Sequence, residues 1–547
     1  MRRPAGLLVV VLIAGTALLS AWSPPARSLW PPLVALTVIL LTRRALVGLL
    51  AGAFAGAVLL AAGDPWQAYL ALLRDHLAPS LASPWKTGAI AFTLILGGFA
   101  AVLDAGGGFT ALLRRWAAPG RDAARRFQLA AVGLGLLCFF DGLANSMMVG
   151  RVGRRLADRC GVSRVKLAYI VDSTSSAVAC VALVSTWIAF QLSMIESAFA
   201  AAGQSVNPYA VFLRSLPYNF HCWFTLLLVG LAAWWPFAPG PMRAYETAAR
   251  RTRGELEAVE PVRAVGRPTA VSALLPLAVL LVAFLLGFLL LGGDGPVWPP
   301  TRASLVAAFG SDAGPLVMVL AGLAATVAAI LVFPPRPDGR WTAGAAAFGQ
   351  GMGAMVAPVF ILLAAWMLGS VVQALGTAEL LARLATRADA LWLLPTATFL
   401  TGAAVSFATG TSWGTMGLLF PLMVPAAAAA SGQLEPAAQA KLLQIVVAAV
   451  FSGAVFGDHC SPFSDTTIVT SIACEVEPHD HVRTQLPYAL ITALVTVAAG
   501  FLPAGLGLPA WASLLLGTVA LVVLVRSRTL AASPRPGPAG PAPPGGL

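Results

Sequence analysis

Charged side chains are scarce in this chain. They make up 11% of its 547 residues, against about 25% in an ordinary soluble protein. That is too little charge to cover a soluble protein of this size, and a polytopic membrane protein remains. Metal and disulfide patterns are missing as well. The six Cys include no Cys-x-x-Cys pair; Cys138, Cys180, Cys222, Cys460 and Cys474 lie in or beside apolar runs, which argues for packing rather than a disulfide framework. No His-Glu-x-x-His occurs among the five His, so the metalloprotease pattern is absent. The spacing of His459, His479 and His481 does not match a zinc ligand set, and no nucleophile–base pattern suggests an enzyme. Acidic residues are few, 23 Asp and Glu against 35 Lys and Arg. The excess of Arg falls in short loops between apolar runs, which is the signature of membrane topology rather than of nucleic-acid binding. The lipid bilayer is the implied partner, and nucleic acid is not.

What the chain does have is apolar runs, near 5–22, 29–42, 45–62 and 88–104. The first follows two Arg and reads either as a signal peptide or as a first helix. No convincing small-x-small cleavage site follows it, which favours the helix. Residues 127–150 lie between two basic clusters, Arg114, Arg115, Arg121, Arg125 and Arg126 before, and Arg151, Arg154, Arg155, Arg159, Arg164 and Lys166 after. Both flanks therefore belong in the cytoplasm. A single span cannot begin and end on one side, so the segment reads as a re-entrant hairpin turning at Asp141, Asn145 and Ser146. The span at 167–190 follows, where Asp172, Ser173, Thr174, Ser175 and Ser176 compete for backbone hydrogen bonds and favour a break.

Counting sides onward predicts an external loop at 191–217, a span near 218–238, a cytoplasmic stretch at 243–267, and spans near 270–292 and 314–333. Arg336 and Arg340 return the chain to the cytoplasm, 344–375 crosses outward, and 376–389 is mixed in sign. Residues 391–430 are long enough for two passes; Gly410 and Gly414 let the backbone turn beside Thr409, Thr411 and Ser412. This reads as a second re-entrant hairpin, entered from outside. A broken span at 442–473, closing spans at 486–506 and 509–525, and a Pro/Gly-rich disordered tail complete the chain. The expected divisions are 1–104, 105–238, 239–269 (cytoplasmic linker), 270–375, 376–485, 486–528 and 529–547 (tail). The fold class is an all-α polytopic membrane protein. It has about twelve transmembrane helices plus two re-entrant hairpins, in an inverted repeat with two broken helices. Both termini are placed in the cytoplasm, and the location is a bacterial-type cell (inner) membrane.

The most polar stretch at membrane depth is GDHCSPFSDTT, residues 457–467. Asp458 and Asp465 are joined there by the hydroxyls of Ser461, Ser464, Thr466 and Thr467, and Pro462 prevents a continuous helix. Ionisable groups at such depth are costly and point to function. Irregular backbone is tolerated there only inside protein or along a cavity. Asp172-x-x-Ser175 echoes Asp458-x-x-Ser461, and Ser146 and Ser412 take comparable places in the hairpins.

GDHCSPFSDTT together with HDHVRTQLPYA (479–489), FATGTSWGT (407–415), FFDGLANSMMVG (139–150) and LAYIVDSTSSAVACVALVSTWIAF (167–190) resembles the signature of NhaC-type sodium/proton antiporters, within the ion transporter superfamily. The likeness covers roughly residues 127–495. It implies an inverted-repeat carrier, compatible with a homodimer, that exchanges sodium for protons and needs no cofactor. A cation-coupled carrier of a small organic acid or amino acid is the alternative on the same scaffold. One position departs: Gly142 follows Asp141, where family members often have a second Asp.

Sodium is a hard cation and takes oxygen ligands. The candidate ion- or substrate-binding residues are Asp141, Asn145, Ser146, Asp172, Ser173, Thr174, Ser175, Thr409, Thr411, Ser412, Asp458, Ser461, Asp465 and Thr466, with sodium expected at Asp172, Asp458 and Asp465. An apolar setting disfavours a charged carboxyl and a bound cation favours it, so proton and sodium compete for one carboxylate. Asp458 is the leading choice for that role, with Asp172 as its repeat-related partner. His459, His479 and His481 are pH-sensing candidates, the last two read as part of a cytoplasmic loop cluster. Trp413, inside the second hairpin, is singled out from the interfacial Trp.

Overall fold

The computed structural model describes residues 3–22, 25–42, 44–116, 122–251, 269–293, 301–335, 339–377, 380, 383 and 391–532. Arg121, Arg336, most of the linker 239–269, nearly all of the charged stretch within 376–389, and residues 533–547 of the tail lie outside the described residues. Among the described residues the chain is helical, without a strand. Among the described residues, nine helices are long and apolar enough to cross a membrane, or up to twelve if each of three bent pairs is one span. The upper figure is near the expected count of about twelve, although it includes both arms of the second hairpin, which the expectation counted separately. The protein is a multi-pass membrane protein.

Burial separates the helices at the centre from those at the edge. The spanning windows of Ser412–Ala430 and Pro436–Cys474 are each 83% buried, against 28% for Val271–Leu291 and 22% for Ala510–Arg528. A helix that is apolar all round and mostly uncovered has lipid as its neighbour, whereas one that is apolar and covered sits in the protein core. The outer frame includes Pro84–Gly106, Val271–Leu291 and Gly314–Leu331, which pack on one another. The N-terminal helix Arg3–Trp22 is tied to the next by Trp30 Nε1, which donates to Thr16 Oγ1 at 2.8 Å.

Nine helices build the core. In the first half they are α1 (Ala123–Leu137), α2 (Gly142–Cys160), α3 (Arg164–Val181) and α4 (Thr186–Ala201). In the second half they are α5 (Leu394–Thr409), α6 (Ser412–Ala430), α7 (Pro436–Cys460), α8 (Asp465–Cys474) and α9 (Pro478–Val495). Each break carries its own cap. Asp141 accepts from Ala144 N at 2.7 Å to start α2, and Ser185 accepts from Ile188 N at 3.1 Å to start α4. Thr411 accepts from Gly414 N at 3.1 Å to start α6, and Ser464 accepts from Thr466 N at 3.2 Å to start α8. These are the polar side chains that a helix start prefers, because they satisfy amides with no intrahelical partner.

The first broken helix differs from expectation in where it breaks. Residues 172–176 lie inside α3, and the interruption falls at 182–185, where the axis bends by 44°. The hydroxyls of Ser173, Thr174 and Ser175 find partners that leave the helix intact, while Ser176 Oγ is buried without one. Thr174 Oγ1 donates back to Ile170 O at 2.9 Å, and Ser175 Oγ donates across to Gly142 O at 2.6 Å. The echo between Asp172-x-x-Ser175 and Asp458-x-x-Ser461 is therefore not an echo of the breaks, since Ser461 itself ends α7. Lys166, counted above with the basic flank, is 1% exposed, with Nζ donating to Phe237 O at 3.1 Å and Tyr488 Oη at 3.0 Å. The helix Met242–Arg251 docks on the same end of α3, where Glu246 Oε1 accepts from Ser163 N and Oγ.

The second hairpin turns at Gly410, whose φ of +68° suits glycine, and a Cβ there would meet the Phe463 carbonyl carbon at 2.5 Å. Its arms, taken as Leu391–Thr409 and Ser412–Ala430, each count among the nine candidate spans. Two outcomes follow from this geometry. Gly410→Ala is expected to destabilise the protein by about 2 kcal/mol or more, through the left-handed conformation and the collision with backbone; thermal unfolding in detergent measures it. In a cysteine-free background, Asp122→Cys and Arg155→Cys should both label with an impermeant reagent from the cytoplasmic face. Labelling from opposite faces would mean that α1 and α2 do not re-enter.

Candidate functional site

The breaks bring polar groups of both halves to one cavity of about 110 Å³. Three carboxylates line it, Asp141, Asp458 and Asp465, with the hydroxyls of Thr186, Thr411, Ser412 and Thr466. The three carboxylates are not equivalent. Asp141 is committed: one oxygen caps α2, and Thr186 Oγ1 donates to the other at 2.9 Å. Asp465 is exposed, in the first turn of α8. Asp458 is 4% exposed, in the last turn of α7; its Oδ1 accepts from Ser464 Oγ at 2.8 Å. Asp458 Oδ2 is buried and has no hydrogen-bond partner in the structure. An unsatisfied buried carboxylate oxygen is costly, and a proton or a cation would relieve it. The C-terminal end of α7 adds the negative pole of a helix, which favours positive charge.

A second polar cluster lies behind the first. Asp172 does not line the cavity. Its Oδ2 accepts from Gln485 Nε2 at 2.8 Å, His481 Nε2 at 3.2 Å and Thr467 Oγ1 at 3.2 Å. Gln485 Nε2 also donates to His459 O, and the His459 ring bonds Ser173 Oγ at 2.8 Å. Thr467 joins the two clusters, because its Oγ1 also lies 3.3 Å from Asp458 O.

Of the residues expected at the site, Asp141, Thr411, Ser412, Asp458, Asp465 and Thr466 share the cavity. Asp172 and Ser173 belong to the cluster behind it. Asn145, Ser146, Thr174 and Ser175 form a seam between helices instead: Asn145 Nδ2 donates to Gly135 O and Thr174 O, and Ser146 Oγ lies 3.3 Å from Ser175 Oγ. Thr409 Oγ1 donates within its own helix to Val405 O, and Ser461 Oγ donates to Phe407 O. Gly142 leaves room for this seam, since a Cβ there would lie 3.1 Å from Ser175 Oγ. The proposed loop cluster of histidines is corrected. Helix α9 starts at Pro478, so His479 and His481 stand about 200° apart around its axis. His479 is exposed, whereas His481 is 0% exposed against Asp172.

Sequence reasoning missed Gln485 and Thr186 as members of these networks, and counted Thr467 only among the hydroxyls of 457–467, without its bond to Asp172. Gln485 had a signal, since it follows His481 by four residues and so shares its helix face. Thr186 had none, because only the fold brings it to Asp141. Trp413 lines the cavity, its ring 4.6 Å from that of Phe190. Gln485→Leu is expected to cost about 1–3 kcal/mol, because it leaves buried acceptors unpaired. His479→Ala should stay within about 0.5 kcal/mol. Paired thermal unfolding of the two variants checks the contrast.

Comparison with known proteins places this geometry in context. The profile of the Na+/H+ antiporter family matches residues 178–506. An uncharacterized protein of Haemophilus influenzae is 29% identical over 522 residues, 93% of this chain and 96% of its own. The malate-2H(+)/Na(+)-lactate antiporter of Bacillus subtilis is 38% identical over 113 residues, 20% of this chain and 22% of its own. Among solved structures, the Alcanivorax borkumensis YdaH transporter superposes with a TM-score of 0.50 at 14% identity, covering 84% of this chain and 88% of its own. That likeness is one of fold alone.

Proposed function

The chain belongs to the Na+/H+ antiporter family, and from that premise we propose that it exchanges sodium for protons, the two ions competing for Asp458. The observation that carries this reading is the cavity lining. It holds three carboxylates and four hydroxyls, and among the described residues no Lys or Arg lines it. Such a set suits a hard cation. A carboxyl can be neutralised by a proton or by sodium but not by both, which is the condition for exchange through one site. Asp458 Oδ2 is the one carboxylate oxygen in the cavity wall that is both buried and unpartnered. Asp172 acts from behind, through Thr467. We place the carrier in a bacterial-type cell (inner) membrane with both termini cytoplasmic, a reading supported by the basic flanks of 127–150.

A second reading is a carrier that couples cations to a small organic acid. The name of the Bacillus subtilis relative favours it, since that protein pairs malate with protons and lactate with sodium. The lining weighs against it, because an anion would meet carboxylates without a basic partner.

Reconstituted protein in liposomes, with a pH-sensitive dye inside and no organic solute present, separates the two readings. Sodium gradients should move protons in the wild type, and sodium binding should release protons, with apparent affinity falling as pH drops. Asp458→Asn should fold and abolish the exchange, while Asp458→Glu should weaken the sodium dependence. Normal exchange by a well-folded Asn variant would remove Asp458 from this role.

A further inference from the structure

The cavity has apolar lining that a bare sodium ion does not need. Besides the oxygens, the lining includes Leu143, Trp187, Met355, Pro358, Ile361 and Trp413. Hard cations are held by oxygen ligands, and aliphatic carbon contributes nothing to them. Indole faces do attract cations, most of all those with diffuse charge and weak hydration. The volume of about 110 Å³ is several times the roughly 10–15 Å³ that one water requires. A single dehydrated ion leaves most of that space unused.

Resting on the cation-carrier reading above, we propose that the cavity also accepts small organic cations, with guanidinium as the type case. Three features of the site select this class. Asp458 is nine-tenths buried or more, it lines the cavity that a ligand would fill, and its Oδ2 lacks a partner. A planar N–H fork pairs with such a carboxylate through short, charge-assisted bonds. Trp413 and Trp187 supply flat apolar surface on which the body of the cation rests, and Phe190 backs Trp413 from behind. Neutral solutes of the same shape would leave the carboxylates uncompensated, and carboxylate solutes would be repelled by them. Sodium and the organic cation would use the same carboxylate, so their binding is mutually exclusive.

The test is competition for retained ²²Na⁺ on the purified full-length protein in detergent. Guanidinium, methylammonium, tetramethylammonium and potassium serve as competitors, and urea as the neutral isostere of guanidinium. Guanidinium is expected to displace sodium at concentrations at least about tenfold below potassium, while urea does not displace it. Trp413→Leu should lower guanidinium affinity relative to sodium affinity by about tenfold, and equal losses for both cations would overturn recognition by the indole. Retention of ²²Na⁺ with guanidinium no better than potassium would overturn the inference and leave sodium/proton exchange standing. Failure to retain either ²²Na⁺ or ¹⁴C-guanidinium would overturn both. A last arm follows ¹⁴C-guanidinium uptake into proteoliposomes. The ion keeps its charge at all accessible pH, so uptake driven by an acidic interior reports exchange rather than passive entry of a weak base.

Discussion

The constraint on which the rest depends is that a helix interrupted inside a membrane must satisfy its freed backbone groups without bulk water. This chain meets it by making the interruptions support each other. Thr186 N, at the start of α4, donates to Phe140 O in the turn between α1 and α2 at 2.9 Å. Ser461 Oγ, at the end of α7, donates at 2.7 Å to Phe407 O, near the end of α5. Each broken helix is thereby fastened to the turn of the hairpin in its own half. The space between the two fastened pairs becomes the cavity.

That arrangement assigns different chemistry to similar side chains. Asp141 spends both oxygens on holding the first turn together, so it shapes the wall more than it receives a ligand. Asp465 keeps to the exposed edge. Asp172 is enclosed by Gln485, His481 and Thr467, which leave its Oδ1 unpartnered away from the cavity, and among the carboxylates that line the cavity Asp458 combines burial with a free oxygen. The four Asp carboxylates differ through their neighbours, since nothing in the side chain distinguishes them. Thr467 gives the two halves a physical link, touching Asp172 on one side and the Asp458 carbonyl on the other. Rotation of that hydroxyl is a small motion with contacts in both clusters.

Gly142, where the resemblance led to the expectation of a second Asp, sits in a tight structural setting. The backbone there accepts from Ser175 Oγ at 2.6 Å, so the position is part of a tight helix contact. A larger side chain would have to displace Ser175, whose Oγ would lie 3.1 Å from a Cβ.

The sequence by itself determined the class of protein, the two polar interruptions near 141 and 461, and the list of carboxylates at membrane depth. Scarce charge, apolar runs and the burial cost of Asp are local properties, and they survive any arrangement of the helices. Turn chemistry was legible too, because Asp141, Gly410, Thr411 and Pro462 act on their own backbone. Tertiary structure alone decided which Asp retains a free oxygen, since that depends on partners such as Ser464, Thr186 and Gln485 that come from other elements. It also decided that residues 172–176 remain helical, because Gly142 offers Ser175 an acceptor across an interface. His481 turned inward and His479 outward for the same kind of reason: two residues along a helix reverse the direction of a side chain, and only packing says which direction is the core.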